Sequence, residues 1–397
     1  MSESKITVFN NYVLNKELNF YDKFDDEDLN LDDTTLNAVY SYGYEKLSPI
    51  QRIALKPIID GNDVLLQSHA GSGKTATFII GMLGCINEDL EETQCIIMGN
   101  TRELATQIHD VFKNLSKYKN ISSYLCIGGN MDNKYTTDVK KDQVIIGTPG
   151  RLADLLSKNI IDISGLKMLI VDEADDILSN SFRAQIKKIF SYVQKSTQVI
   201  LSSATIPEEM VGLVKCILRE DYVSIRVKDD ELKLDGIEQF YVYLNEEDKV
   251  DTLIDLYSHL SIGQAIVYIN KVSRADEVKS ILESKNFSVD VLHGELLQKE
   301  RKEIMNNFRI GNSRILLTTD VLSRGIDIQQ ISLVINFDMP KYSQTYIHRI
   351  GRSGRYGRNG VAINFITKFD KNIVSNIEKS YNTKISQLNN DTISNLL

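Results

Sequence analysis

Long apolar runs are absent from this sequence, and so are the cysteine and histidine patterns of most metal sites. No run of about 18 apolar residues occurs, so a membrane-spanning helix is not expected. The first ten residues do not place a basic segment before an apolar one, so no secretory signal is expected either. The four cysteines form no CxxC pair, and the five histidines are scattered. We therefore expect buried thiols in a reducing compartment and no metal cage.

An excess of positive charge is also missing. The formal net charge is −8, which argues against a surface that binds nucleic acid non-specifically over its whole area. A local basic groove stays compatible with this balance, because affinity depends on where the phosphates touch the protein. Composition alone therefore leaves the substrate class open.

Short apolar runs alternate with longer amphipathic stretches from residue 63 onward. The runs are rich in Val, Ile and Leu and are bounded by Gly or polar residues, as buried parallel strands are. In the first half of the chain they cover residues 63–67, 95–98, 144–147, 168–171 and 199–202. Helical patterns lie between them, for example at 75–86 and 102–115. This alternation predicts a doubly wound α/β domain.

The same alternation restarts after a charged segment at 228–236. The later runs cover residues 265–269, 289–293, 315–319, 333–337 and 362–366. A length of 397 residues also favours two domains over one. We therefore predict a flexible arm at 1–23, a first α/β domain at 24–226, a linker at 227–236 and a second α/β domain at 237–397.

A glycine-rich turn stands between the first predicted strand and the helix after it. The residues of the turn are Ala70, Gly71, Ser72, Gly73, Lys74 and Thr75. Glycines let backbone N–H groups turn toward phosphate oxygens, and the helix N-terminus adds positive potential. In a P-loop, Lys74 would reach the outer phosphates and Thr75 would hold Mg²⁺. Ser68 replaces the usual first Gly, so an ordinary glycine-rich turn is the alternative, which the strand–turn–helix context disfavours.

Two carboxylates follow the strand predicted at 168–171. Asp172 is placed to hold Mg²⁺, through its waters, and Glu173 is placed to orient and deprotonate an attacking water. The alternative is that these acids only favour the start of the next helix. An upstream P-loop makes that alternative weak, so ATP and Mg²⁺ are the predicted substrate and metal.

Residues 172–175 read Asp-Glu-Ala-Asp, and at this point the sequence resembles the DEAD-box RNA helicases. Further motifs of that family follow in its order, over nearly the whole chain after about residue 24. The matching stretches are 43–51 (Q motif), 68–75 (motif I), 101–105 (Ia), 128–129 (GG), 148–151 (Ib), 203–205 (III), 298–301 (QxxR), 319–327 (V) and 348–355 (VI). Within the family, the chain is most similar to the translation-initiation subgroup.

The resemblance implies two tandem RecA-like domains, each a mainly parallel sheet flanked by helices. It also implies a fuller ATP site, with Gln51 reading the adenine edge, Phe24 stacking on the adenine and Asp327 contacting the ribose. Arg352 and Arg355 resemble arginine fingers supplied by the second domain, and such fingers contribute about 10³–10⁵-fold to the rate.

The remaining roles implied by the resemblance concern RNA and the coupling of RNA to ATP. Ser203 and Thr205 would link the nucleotide to domain closure. The RNA contacts would be made by Arg102, Gly129, Thr148, Arg151, Thr319 and Arg324. Such groups suit phosphates and carry little sequence information, whereas contacts to ribose 2′-hydroxyls would favour RNA over DNA.

Three positions depart from the family pattern. Asn100 precedes Thr101, where motif Ia usually begins with Pro, and Lys271 stands where motif IV usually has Thr. Phe24 lies two residues too far from Gly43 to match the family's upstream aromatic cleanly.

The function implied by the resemblance is local unwinding of short RNA duplexes by closure on single-stranded RNA. A translation-initiation scaffold protein would be a partner; we expect a cytoplasmic monomer and no membrane partner. Two alternatives stay open. One is an ATP-gated RNA clamp of the exon-junction type with little turnover, and the other is a DNA helicase.

Overall fold

The chain folds into two compact units, Met1–Lys228 and Asp229–Leu397. This computed structural model describes residues 7–9, 12–68, 71–128, 141–178, 182–227, 237–259, 263–320, 331–351, 360–381 and 383–389. Of the predicted linker at 227–236, only Val227 lies within these ranges, and it ends a strand. Among the helices so described, none is long and apolar enough to cross a membrane.

The first unit alternates strands and helices. Its described strands are β1 (Thr7–Phe9), β2 (Tyr12–Leu14), β3 (Val64–Gln67), β4 (Cys95–Met98), β5 (Ser123–Cys126), β6 (Val144–Gly147), β7 (Met168–Val171), β8 (Gln198–Ser203) and β9 (Val223–Val227). Its described α-helices are α1 (Asp33–Ser41), α2 (Pro49–Ile59), α3 (Lys74–Leu83), α4 (Arg102–Leu115), α5 (Pro149–Ser157), α6 (Ala174–Ile177), α7 (Arg183–Phe190) and α8 (Glu208–Ile217).

These strands form one sheet in the order β1-β2-β9-β3-β8-β7-β4-β6-β5. All neighbours from β9 to β5 are parallel, whereas β1 and β2 join as an antiparallel hairpin. The carboxyl ends of parallel strands meet at one edge, which is where ligands bind in open α/β sheets. The loops after β3, β8, β7, β4, β6 and β5 therefore share one edge of the sheet.

Burial on both faces explains why the central strands are continuous apolar runs. Within β3, Val64 and Leu66 pack in one core cluster, and Leu65 packs in the other. Successive side chains of a strand point to opposite faces, so helices on both sides cover the sheet. This is the arrangement expected of a parallel sheet.

The N-terminal segment differs from the flexible arm predicted at 1–23. Strand β2 pairs with β9, where Leu14 lies opposite Ile225, and the Leu14 side chain is fully buried. Asn15 Nδ2 also donates a hydrogen bond of 2.9 Å to the carbonyl of Tyr222. Without the hairpin, β9 would be an edge strand with unpaired backbone groups, and β2 satisfies them. Part of the predicted arm is therefore built into the first unit.

The second unit repeats the alternation. Its described strands are β10 (Ile237–Tyr243), β11 (Ala265–Tyr268), β12 (Val289–Leu292), β13 (Ile315–Thr318), β14 (Leu333–Asn336), β15 (Gly360–Ile366) and β16 (Ser386–Gln387). Its described α-helices are α9 (Lys249–His259), α10 (Val272–Ser284), α11 (Gln298–Arg309), α12 (Ser343–Ile350) and α13 (Lys371–Ser380). The sheet order is β12-β13-β11-β14-β15-β10-β16, and each pairing is parallel.

Arg349 of α12 is a buried cross-link in the second unit. Its guanidinium donates to Asp320 Oδ1 at 2.7 Å, to Asn270 Oδ1 at 2.7 Å and to the carbonyl of Asp338 at 2.7 Å. It also lies 4.9 Å from the ring centre of Tyr268. Arg349 therefore ties four segments of the unit together.

We expect Arg349→Ala to destabilise the second unit by roughly 2–4 kcal/mol, because the hydrogen bonds of a fully buried guanidinium are lost at once. Hydrogen exchange of the amides in β11 and β14 is the suitable measurement, since one free energy of unfolding is not defined for a two-unit chain. Arg309→Ala is the control, because Arg309 is exposed at the end of α11. Unchanged protection in Arg349→Ala would contradict the role assigned to these hydrogen bonds.

Candidate nucleotide and RNA sites

The predicted P-loop lies between β3 and α3, at the carboxyl edge of the first sheet. Gly71 and Gly73 have φ angles of +80° and +99°, which L-residues with side chains adopt at a cost. The Ser68 N–H donates to the carbonyl of Ser203 at 3.2 Å, which fixes the start of the loop on β8. Ala70 lies outside the described residues. The local geometry is that of a strand–turn–helix phosphate loop.

Lys74 is the first residue of α3 and is 8% exposed. Its ammonium donates a hydrogen bond to the carbonyl of Ser68, across the turn. The cation is thereby held beside the backbone of the loop instead of extending into solvent. A phosphate bound in this loop would meet a fixed positive charge.

Asp172 follows β7 and is held by donors from three segments. Ser202 Oγ donates to its Oδ1 at 2.7 Å, the Glu173 N–H donates to the same oxygen at 3.1 Å, and Thr75 Oγ1 donates to Oδ2 at 3.4 Å. Burial, reinforced by the Glu173 charge, raises the pKa of Asp172 to about 6, although the Lys74 cation acts in the opposite direction. Two buried carboxylates therefore stand beside a single lysine.

Glu173 has a left-handed backbone conformation, with φ of +53° and ψ of +49°. Such a conformation costs free energy in a residue other than glycine, and it concentrates at functional sites. Glu173 forms the junction between β7 and α6, and its side chain is 8% exposed. The strained turn directs the chain into α6 immediately after the strand-end carboxylate.

Asp175 connects the Asp-Glu-Ala-Asp segment to the end of β8. Thr205 Oγ1 donates to Asp175 Oδ2 at 2.5 Å, and the Asp175 N–H donates to Ser203 Oγ at 3.3 Å. Ser203 Oγ in turn donates to the carbonyl of Thr205 at 2.7 Å. Ser203 and Thr205, the hydroxyl residues predicted to link the nucleotide to domain closure, are thus hydrogen-bonded to Asp175 and to each other. They hold the Asp-Glu-Ala-Asp segment in place, which is a positioning role.

Gln51, the predicted adenine-reading residue, lies beside the P-loop. Its Oε1 accepts a hydrogen bond of 2.7 Å from the Ser48 N–H at the start of α2. A Cβ added to Gly73 would lie 3.4 Å from Gln51 Nε2 and 3.0 Å from Ser48 Oγ. The Q motif and motif I are therefore in contact, and Gly73 is needed both for its φ angle and for this approach.

Phe24, the residue predicted to stack on adenine, lies in the core instead. Its side chain is 0% exposed, and its ring meets Tyr40 edge-on at 6.2 Å between centroids. A ring without an accessible face has no surface on which a base can stack. The prediction for Phe24 is therefore wrong in this structure.

The predicted RNA contacts of the first unit gather at the neighbouring strand ends. Arg102 begins α4 after β4, and its Nη2 would lie 3.1 Å from a Cβ added to Gly128, which follows β5. Thr148 precedes α5 after β6, and Arg151 Nη1 pairs with Asp154 Oδ2 at 3.0 Å. The described residues of motifs Ia, GG and Ib therefore lie at adjacent strand ends, next to the candidate nucleotide residues.

Six predicted site residues have not yet been located, and all of them except Gly129 belong to the second unit. Thr319 directly follows β13 at a strand end, and its carbonyl accepts a hydrogen bond from Thr318. Besides Ala70, the predicted site residues that lie outside the described ranges are Gly129, Arg324, Asp327, Arg352 and Arg355. Their roles stay predictions.

The residues present fit a magnesium ion. Thr75 Oγ1 and Asp172 Oδ2 are 3.4 Å apart, and Mg²⁺ prefers oxygen ligands while keeping several of its waters. Sequence reasoning missed Ser202, which fixes the second carboxylate oxygen of Asp172. The available signal was a run of hydroxyl residues at the end of an apolar strand.

Comparisons with known proteins agree with this geometry. The DEAD/DEAH box helicase model matches residues 48–212, and the helicase conserved C-terminal domain model matches residues 248–357. Eukaryotic initiation factor 4A of Drosophila melanogaster is 45% identical over 93% of this chain and 91% of its own length.

Solved structures of DEAD-box proteins have a similar fold. A variant of S. cerevisiae Dbp5 bound to RNA and ADP BeF3 is 33% identical, with a TM-score of 0.88 over 94% of this chain and 97% of that one. Mss116p bound to ssRNA and AMP-PNP is 25% identical, with a TM-score of 0.81 over 92% of this chain and 79% of that one. The chain belongs to the DEAD-box helicases: it is an ATP-dependent RNA helicase with two RecA-like domains.

Proposed function

We propose that this helicase acts in translation initiation, where it unwinds short duplexes in messenger RNA. The observation that carries the proposal is the 45% identity to Eukaryotic initiation factor 4A over nearly the whole of both chains. The proposal includes a cytoplasmic location, action as a monomer and a scaffold protein of the initiation machinery as partner.

ATP hydrolysis is assigned to the edge formed by β3, β7 and β8. Lys74 holds the outer phosphates, and Glu173 orients the attacking water and accepts its proton. Thr75 and Asp172 would hold Mg²⁺, which supplies charge neutralisation on the phosphates when it is bound. The acidic segment is kept fixed by the hydrogen bond that Ser202 donates to Asp172 and by the one that Asp175 accepts from Thr205.

The remaining ATP contacts are assigned by resemblance to the family. Gln51 reads the adenine edge from its place beside Gly73. Asp327 contacts the ribose, and Arg352 and Arg355 stabilise the charge that develops on the γ-phosphate.

RNA is assigned to Arg102, Thr148 and Arg151 in the first unit and to Thr319 in the second, together with Gly129 and Arg324. Arginines, hydroxyls and backbone N–H groups at helix starts bind phosphates and sugars, so we propose a weak sequence preference. Recognition of ribose hydroxyls gives the preference for RNA over DNA.

Steady-state ATPase measurements test this assignment. Single-stranded RNA is expected to stimulate hydrolysis, whereas DNA of the same base sequence is not. Equal stimulation by DNA would favour the DNA helicase. Tight ATP-dependent RNA binding with negligible turnover would favour the RNA clamp. For the translation role, the chain should restore translation of messenger RNAs with structured leaders in an extract depleted of its initiation helicase, and failure there would reject that role alone.

A further inference from the structure

Asn100 makes a partly buried hydrogen bond between the two predicted sites of the first unit. It lies between β4 and α4 and is 7% exposed. Its Nδ2 donates to Asp176 Oδ2 at 2.8 Å. The opposite amide orientation would set two oxygens against each other, so the chemistry of the partner fixes which atom is the donor.

The Asp176 end of this bond belongs to the hydrolytic segment. Asp176 lies on α6, three residues after Glu173, and its N–H donates to the Glu173 carbonyl at 3.0 Å and to Asp175 Oδ1 at 3.1 Å. Asp175 is in turn the acceptor for Thr205. A displacement of Asp176 would therefore be passed to the residues that flank the proposed general base.

The Asn100 end belongs to the RNA segment. Thr101 is the next residue, and its Oγ1 caps α4 by accepting from the Leu104 N–H at 3.1 Å. Arg102 follows, packed over Gly128. The backbone on this side cannot shift without moving the first turn of α4.

We propose that Asn100 is a positioning residue that couples RNA binding at Arg102 to ATP hydrolysis at Glu173 through its bond to Asp176. The proposal rests on the site assignments made under the proposed function. Proline, the residue usual at this place in motif Ia, has no side-chain donor, so this link is a property of the present sequence. Strands β4 and β7 are direct neighbours, which makes the bond a short connection between the two groups.

Asn100→Ala in the full chain is the first test. We expect the RNA-stimulated ATPase rate to fall about tenfold, in the range of coupling between two sites. The ATPase rate without RNA and the Michaelis constant for ATP should stay within a few-fold of wild type. Asn114→Ala is the matched control, because Asn114 lies on the exposed side of α4 and bonds only to the backbone carbonyl of Asp110 among the contacts described. Full RNA stimulation in Asn100→Ala would overturn the proposal.

An exchange of the two partners separates coupling from stability. Asn100→Asp alone places two carboxylates together and should lose stimulation, whereas Asn100→Asp combined with Asp176→Asn restores an amide–carboxylate pair and should recover it. Melting temperature is followed in parallel. If stimulation changes only in step with the folded fraction, the bond is merely structural and the proposal fails.

Arg102→Ala distinguishes failure of this inference from failure of the RNA assignment. If Arg102→Ala retains the wild-type RNA response, the RNA site itself is misassigned. If Arg102→Ala loses the response and Asn100→Ala keeps it, the RNA site stands and the coupling role of Asn100 is rejected. Loss in both variants, with recovery in the exchanged pair, supports the proposal.

Discussion

Replacement of Glu173 by Gln is expected to lower ATP turnover by about 10²–10⁴-fold, the contribution typical of a general base. Gln keeps the size of the side chain but cannot accept a proton from the attacking water. The proposed phosphate-binding residue Lys74 and the predicted metal ligand Asp172 are unchanged. ATP and RNA should therefore still bind, and the variant should accumulate as a long-lived complex with both.

The measurement is single-turnover hydrolysis together with retention of labelled RNA in the presence of ATP. Glu209→Gln is the control, because Glu209 is exposed on α8 and far along the chain from the strand-end acids. Turnover within a few-fold of wild type in Glu173→Gln would mean that another group accepts the proton. Loss of ATP binding would instead mean that the substitution disturbed the strained junction between β7 and α6.

The central strands of both sheets could be predicted because burial on two faces makes them continuous apolar runs. The runs at 95–98, 144–147 and 168–171 coincide with β4, β6 and β7, and the run at 199–202 is one residue short of β8 at each end. In the second unit, each of the five predicted runs overlaps a strand. For these segments the local composition is enough to predict a strand, since parallel strands are covered by helices on both faces and are therefore apolar throughout.

Six strands at or near the sheet edges could not be predicted in this way, although the edge strand β12 was. Strands β1, β2, β5, β9, β10 and β16 were missed. In β5, three of four residues are only half-buried, and β10 mixes buried with half-exposed residues, so their apolar patterns are weak. For β2 the partner also lies far along the chain, since Leu14 pairs with Ile225 of β9. Register of this kind is set by tertiary pairing and not by local sequence.

The candidate nucleotide site is likewise predictable from the sequence only in part. Lys74, Thr75, Asp172 and Glu173 could be proposed from the sequence because phosphate chemistry demands those residue types at a strand end. The hydrogen bonds that hold them depend on contacts between distant segments. Phe24 shows the limit, since the resemblance to the family implied stacking on adenine, whereas the packing places Phe24 in the core.

Lys74→Ala is expected to weaken ATP binding about ten- to hundredfold. A hydrogen bond to a charged group contributes about 1.5–3 kcal/mol, and each 1.4 kcal/mol corresponds to about tenfold in affinity. Turnover should fall as well, because the same cation meets the charge that develops on the outer phosphates. Its removal also takes away the positive charge that lowers the pKa of Asp172, leaving two buried carboxylates together.

Titration with a fluorescent ATP analogue checks the binding effect, and steady-state ATPase checks the turnover. Lys187→Ala serves as the control, because Lys187 is exposed on α7. Lys74→Arg tests geometry separately from charge: the guanidinium keeps the charge, but it is planar and larger than the ammonium that donates to Ser68 within the turn. We expect Lys74→Arg to remain impaired, since the loop holds a compact cation close to its own backbone. Wild-type affinity in Lys74→Ala would exclude the turn after β3 as the phosphate site, despite its glycines and its place before α3.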